Sequence, residues 1–223
     1  MAPIRTLARR FMLRAVPRTV VLACLAVLLL ARYVSADPVP GFTENWSVPG
    51  STDGWEGGST YSNPGTGGVG GASDGFLNIS NTSPTHLGAF SAGPEYAGDW
   101  GGITMVTFWL KDTGVLQPSL ELHFGIGNSG NFWLYSAGFK PSGSWRLFEV
   151  DLNESNFTQI IFGGSFDDAI HTVDRILVRH DVAPLFQSPN SITGDFGLDG
   201  LTLSGGATPV ASTTWGRIKS LYR

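Results

Sequence analysis

Cysteine is almost absent from this chain: its single copy, Cys24, lies in an apolar run near the N-terminus. The remainder therefore has no thiol with which to form a disulfide, and stability must come from core burial, with a bound metal as the other candidate source. Cations are scarce as well. Between residues 37 and 205, five Lys/Arg stand against 18 Asp/Glu, a formal charge of −13. Such a body repels nucleic acid and anionic lipid and suits a soluble extracellular domain. A membrane-length apolar run is also missing. The stretch Thr19 to Ala31 has 13 residues, whereas a spanning helix needs roughly 20.

What is present at the N-terminus is the opposite charge. Residues 1–36 hold six arginines (Arg5, Arg9, Arg10, Arg14, Arg18, Arg32) and no acid, then the apolar run and Val34-Ser35-Ala36. A basic region, a short apolar region and a small-x-small end read as a secretory signal peptide. Arg9-Arg10-Phe11-Met12-Leu13-Arg14 resembles a degenerate twin-arginine signal, so both Sec and twin-arginine export stay open. Leu22-Ala23-Cys24 has too little apolar sequence before it for a lipoprotein box. The expected division is a signal peptide over 1–36, one β-sandwich over 37–205, and a linker with a basic amphipathic tail over 206–223. The expected location is secreted or extracytoplasmic, with the cell surface included.

Gly, Pro, Ser, Asn and Thr punctuate the chain every ten residues or so, separating short runs rich in aromatic and β-branched residues. That pattern predicts an all-β sandwich of about 8–10 antiparallel strands. The expected strands are 42–47, 76–80, 86–91, 103–111, 118–126, 131–137, 145–152, 173–180 and 196–204. Residues 165–172 read as a helical turn capped by Ser165, with Asp167 and Asp168 in its first turn. The stretch 48–75 reads as a long glycine-rich connection.

Period-2 alternation assigns an inner face to Val106, Phe108, Leu110, Leu120, Leu122, Phe124, Phe132, Leu134, Phe148, Val150 and Leu152. The opposite face mixes aromatics with charges. It holds Trp109, Lys111, Glu121, His123, Trp133, Tyr135, Trp145 and Glu149, with Arg179 nearby. Sugars stack their C–H faces on aromatic rings while polar neighbours set orientation, so this set is the expected ligand-binding strip. The competing reading makes the tryptophans a second, partly buried core.

Several motifs that suggest catalysis lack the right context. Gly65–Gly70 and Gly125–Gly130 both match G-x-G-x-x-G, yet neither precedes a helix, so both read as turns. Gly71-Ala72-Ser73-Asp74-Gly75 matches a nucleophile elbow, but a strand follows where a helix is required. His86, His123, His171 and His180 show no metal-ligand spacing. No pair of carboxylates is singled out for glycoside hydrolysis. The chain reads as a non-enzyme, with a sandwich-fold glycan hydrolase as the least favoured alternative.

The order of landmarks from 42 to 204 resembles the laminin IV (laminin B) domain and its bacterial relatives. The carrying residues are Phe42-Thr43-Glu44-Asn45-Trp46 with Gly54-Trp55, Gly70 to Leu77, Ala89 to Pro94, and Tyr96-Ala97-Gly98-Asp99-Trp100. Val173 to Arg179 and Gly197 to Leu203 complete the match. The resemblance implies a galactose-binding-like jelly roll similar to carbohydrate-binding modules, without the cysteines of animal laminins. It also implies a structural Ca2+ near the sandwich edge, for which Glu44, Asp53, Asp74 and Asp199 occupy matching positions. The other reading of these four is solvated turn acids. The function implied is a non-catalytic adhesion or glycan-binding module whose partner is an extracellular or cell-surface glycan or protein. A purely structural surface or matrix protein is the alternative. In the tail, Trp215, Ile218, Leu221 and Tyr222 fall at helical spacing beside Arg217, Lys219 and Arg223, a pattern fitting a sorting or docking tag, or a frayed end.

Overall fold

Alternating burial along short strands builds two antiparallel sheets that close on each other. The structure is a computed structural model that describes residues 37–114 and 119–206. The expected signal peptide and the tail beyond Gly206 lie outside the described residues. Eleven strands occur within them: β1 (Thr43–Glu44), β2 (Thr60–Ser62), β3 (Leu77–His86), β4 (Gly88–Ser91), β5 (Met105–Asp112), β6 (Leu122–Asn128), β7 (Asn131–Tyr135), β8 (Arg146–Asp151), β9 (Phe157–Ile161), β10 (Arg175–His180) and β11 (Ser191–Ser204). One sheet runs β2-β3-β11-β5-β8 with β1 added along β11; the other runs β4-β10-β6-β7-β9. This is a β-sandwich, as the strand pattern predicts, of the jelly-roll kind that the laminin IV resemblance implies.

The inner faces meet as expected for most strands. Val106, Phe108 and Leu110 of β5 pack with Leu122, Phe124 and Ile126 of β6, all fully buried. Phe108 stacks on Phe124 at 6.2 Å and meets Phe139 edge-on at 5.4 Å. The predicted helical turn is α1 (Phe166–Ile170). Ser165 Oγ accepts from Asp168 N while the Asp168 carboxylate accepts from Ser165 N, a reciprocal capping box. Gly65–Gly70 lies in loop, and Gly125–Gly130 enters the β6–β7 hairpin.

Three expectations change. The first strand shrinks to Thr43–Glu44, because Trp46 turns the chain at φ 45°. Strands β2 and β9 were not expected; β2 lies inside the glycine-rich stretch, and β9 is the β-branched run Phe157-Thr158-Gln159-Ile160-Ile161. The largest correction is β7, which presents the opposite faces from those expected. The two-residue turn Ser129-Gly130 sets Asn128 opposite Asn131, which places Trp133 opposite Ile126 and Leu134 opposite Gly125. Ile126 is inside, so Trp133 is inside too. Phe132 and Leu134 instead join Ile160 in a separate buried cluster on the outer side of the sheet, flanked by Ile161, Leu177 and Leu185. Gly125 permits that cluster: a Cβ there would lie 2.7 Å from both Phe132 and Leu134 side chains.

Candidate functional site

The outer face of the five-stranded sheet carries a groove. Strand β10 supplies Arg175, Leu177 and Arg179 to this face, since Ile176 and Val178 point into the core. Strand β4 supplies Phe90 opposite Leu177, and Gly88 opposite Arg179. Gly88 has no room for a side chain, because a Cβ would sit 2.6 Å from Arg179 Cβ. Two hollows of about 200 and 150 Å³ share Phe90, Leu177 and Arg179 and so form one depression. Phe132, Ile160, Ile161 and Gln187 line one end; Gly57, His86 and Pro189 line the other.

A loop from Asp181 to Asn190 forms one wall, and a buried ion pair pins it. Arg179 donates to Asp181 Oδ2 at 2.6 Å and to the carbonyls of Phe186 and Gln187. The two side chains are 10% and 2% exposed. Burial pulls the Arg179 guanidinium below its ordinary value, and Asp181 opposes the shift. Asp181 Oδ1 in turn accepts from the backbone N–H groups of Val182 and Asn190. Phe186 itself is 62% exposed at this wall. Arg175 is the more accessible cation. Its Nε pairs with Asp174 at 3.1 Å, and its Cζ lies 5.9 Å from the ring centroids of both Phe90 and Phe132.

The nine residues expected to form one binding strip fall in three places, with Glu149 on β8 opposite Thr107 of the six-stranded sheet. Trp109, Lys111 and Trp145 share the outer side of the six-stranded sheet, where Lys111 Nζ lies 5.9 Å over the Trp145 ring. Trp145 is already engaged, meeting Phe76 edge-on and donating Nε1–H to the Gly67 carbonyl. Trp133 and Tyr135 point into the core; the first meets Phe166 edge-on, and the second stacks on Phe139. Trp133 Nε1–H donates to Asn131 Oδ1. His123 and Arg179 are neighbours across β6 and β10 on the other sheet. Glu121 sits beside His123 at 3.7 Å and holds Lys140 at 3.2 Å. The strip is therefore not continuous, because the two sheets turn its members to different sides. Phe90, Phe132 and Arg175 were not selected from sequence. The alternation within Arg175-Ile176-Leu177-Val178-Arg179 was the available signal.

The four acids proposed for calcium resolve into two carboxylate pairs. Glu44 and Asp53 line a hollow of about 410 Å³ together with Glu95. Burial, then the nearby Asp53 charge, raises the Glu44 carboxyl to about 7. Asp199, 1% exposed, accepts from the N–H groups of Val69 and Gly200. Burial raises it to about 6, with Asp74 contributing. Among the described residues no three His, Cys, Asp or Glu side chains gather as a metal-binding group, so the four do not form one cage.

These shifts have a definite sign. A carboxyl that holds its proton longer when folded loses stability as pH rises, because the unfolded chain ionises first. For Glu44 the window runs from 4.5 to about 7. In metal-free buffer, Glu44→Gln should therefore gain melting temperature relative to the parent at pH 7 and lose that advantage near pH 4.5. A difference that stays flat across this range would remove the assignment.

Another hollow, of about 440 Å³, is lined by Asn128, Asn131, Asp167, Asp168, His171 and Thr172 among others. It has no aromatic wall. His171 Nδ1 pairs with Asp99 at 2.6 Å, which raises the imidazole, while the Gly101 N–H and then His171 lower the Asp99 carboxyl. No helix among the described residues is long and apolar enough to cross a membrane.

Fold and groove together define a jelly-roll sandwich with an open, aromatic-floored depression on one sheet. No family model matches the chain, and a search of curated proteins finds no significant match. Among solved structures, an exo-β-agarase superposes with a TM-score of 0.53 at 10% identity, over 75% of this chain and 25% of that one. The family 11 carbohydrate-binding module of a Clostridium thermocellum cellulosomal cellulase gives 0.49 at 19% identity, over 75% and 97%. A CBM22 xylan-binding domain from Paenibacillus barcinonensis gives 0.48 at 15%, over 74% and 99%. These likenesses are ones of fold. The jelly roll implied by the laminin IV resemblance is present, while no family model supports the resemblance itself.

Proposed function

We propose that this protein is a non-catalytic glycan-binding module that works outside the cytoplasm, and that its ligand lies in the groove of the five-stranded sheet. The observation that carries this reading is the half-buried Phe90 ring beside Arg175 and Gln187 in one open depression, with buried Phe132 beneath it. Aromatic faces stack on the apolar faces of sugar rings, and a few polar groups fix orientation. The leader over 1–36 supports export, and the laminin IV-like landmarks support an adhesive role at a cell surface. A glycan array with the mature chain tests the function. Affinity electrophoresis should show that Phe90→Ala weakens binding about tenfold or more, as loss of a stacking platform worth ~1.4 kcal/mol would do. Unchanged binding would move the ligand elsewhere; no binding to any glycan would leave the purely structural role.

The calcium that the resemblance implies belongs to this proposal as well. Glu44 with Asp53, and Asp74 with Asp199, each offer hard oxygen donors, and a cation would favour the ionised forms of Glu44 and Asp199, which burial raises. Millimolar calcium should raise the melting temperature relative to EDTA at pH 7. An identical temperature in both would dismiss it.

A further inference from the structure

The body of this protein is strongly acidic, yet none of its carboxylates lines the groove. The residues around both hollows include two arginines and His86, and no Asp or Glu. The other two hollows are different: one holds Glu44, Asp53 and Glu95, the other Asp167 and Asp168. Two of the five cations between residues 37 and 205 thus converge on one depression. Such segregation against the background charge is what an anionic ligand requires, since exposed charges beyond roughly 8 Å are largely screened at physiological salt.

The arginines divide the work. Arg179 is committed to Asp181 and two carbonyls, and its buried Nε has no hydrogen-bond partner among the described residues. It holds the wall, with its charge balanced by Asp181. Arg175 is about one-third exposed. Only its Nε is engaged, by Asp174; among the described residues its terminal nitrogens carry no hydrogen bond. Its Cζ lies 5.9 Å from the Phe90 and Phe132 ring centroids, within reach of cation–π attraction. A guanidinium fixed in this way presents a planar fork that matches a carboxylate or sulfate group in a bidentate manner.

Resting on the glycan-binding reading above, we infer that the groove selects an acidic polysaccharide, with Arg175 reading its anionic groups beside the Phe90 platform. Carboxylate and sulfate share this chemistry, and the source is separated by the choice of probe.

The test is affinity electrophoresis and calorimetry of the mature chain against three groups of polymer: polygalacturonate and alginate, a sulfated galactan, and neutral β-glucan and xylan. At least one acidic group should bind tenfold or more tightly than the neutral ones, and raising salt from 50 to 500 mM should weaken it. Which acidic group binds identifies the anion. Arg175→Gln should erase the preference for acidic chains, whereas Arg146→Gln, on the other sheet, should not. The melting temperature of Arg175→Gln shows whether it folds, and the salt series on the parent protein decides the matter if it does not. Neutral chains bound as tightly as acidic ones, or insensitivity to salt, would overturn the selectivity and leave the glycan-binding reading standing. Failure to bind any of the polymers would overturn both. Unaltered acidic binding by a folded Arg175→Gln would also overturn it.

Discussion

Trp133→Ala is expected to unfold the domain at markedly lower temperature rather than to trim a binding surface. The Trp133 ring is 8% exposed and packs in the main core, edge-on to Phe166 at 5.4 Å. Truncating a buried aromatic to alanine costs about 3–5 kcal/mol, through lost transfer energy and the cavity left behind. A further loss comes from Asn131 Oδ1, which accepts from Trp133 Nε1. Gln159 also donates to that oxygen, so the acceptor is not orphaned. With about 2–4 °C per kcal/mol for a domain of this size, the melting temperature should fall by roughly 6–20 °C. Calorimetry checks this. A fall of no more than a degree or two would mean that Trp133 faces solvent, restoring the strip that alternation alone suggests. Binding in the folded population at low temperature should be retained, because the ring does not reach the groove.

Asp181→Ala should be comparably damaging, for an electrostatic reason. Removing one partner of a buried ion pair costs about 3–5 kcal/mol, because the remaining charge stays desolvated. Arg179 would keep two carbonyl partners but lose its only counter-charge at 2.6 Å. The N–H groups of Val182 and Asn190 would lose an acceptor at the same time. The loop from Asp181 to Asn190 should therefore loosen before the sandwich melts. Hydrogen exchange would show faster amide exchange over 182–190 than over β10. Replacing both partners together, Arg179→Met with Asp181→Leu, should recover much of the loss, since an apolar pair leaves no unpaired charge. If Asp181→Ala alone melts like the parent, the pair holds neither loop nor charge.

The same two sites show how far the sequence could be read. Val106-Thr107-Phe108-Trp109-Leu110-Lys111 alternates apolar and mixed residues, so its inner face was legible, and Val106, Phe108 and Leu110 are fully buried. Ser165 with Asp168 announced the helix start, and both halves of its capping box are formed. In Asn131-Phe132-Trp133-Leu134-Tyr135 the code is degenerate, because apolar residues occupy both faces. There the hairpin register decides, and it follows from the turn and from the partner Ile126. The groove was illegible for a related reason. Phe90, Phe132, Leu177 and Arg175 come from three strands that are not consecutive, so no local spacing joins them.

The sequence by itself determined an all-β sandwich with no disulfide, an acidic body between basic N- and C-terminal segments, and the inner faces of the strands whose alternation is unambiguous. These are local properties: composition, turn chemistry and period-2 burial act within one strand. Only the tertiary structure decided that Trp133 supports the core, that the expected aromatic strip is divided between two sheets, and that Arg175 and Phe90 share a groove whose lining holds no acid. Those depend on which strands pair and in what register, and a one-residue change of register exchanges the two faces of a strand.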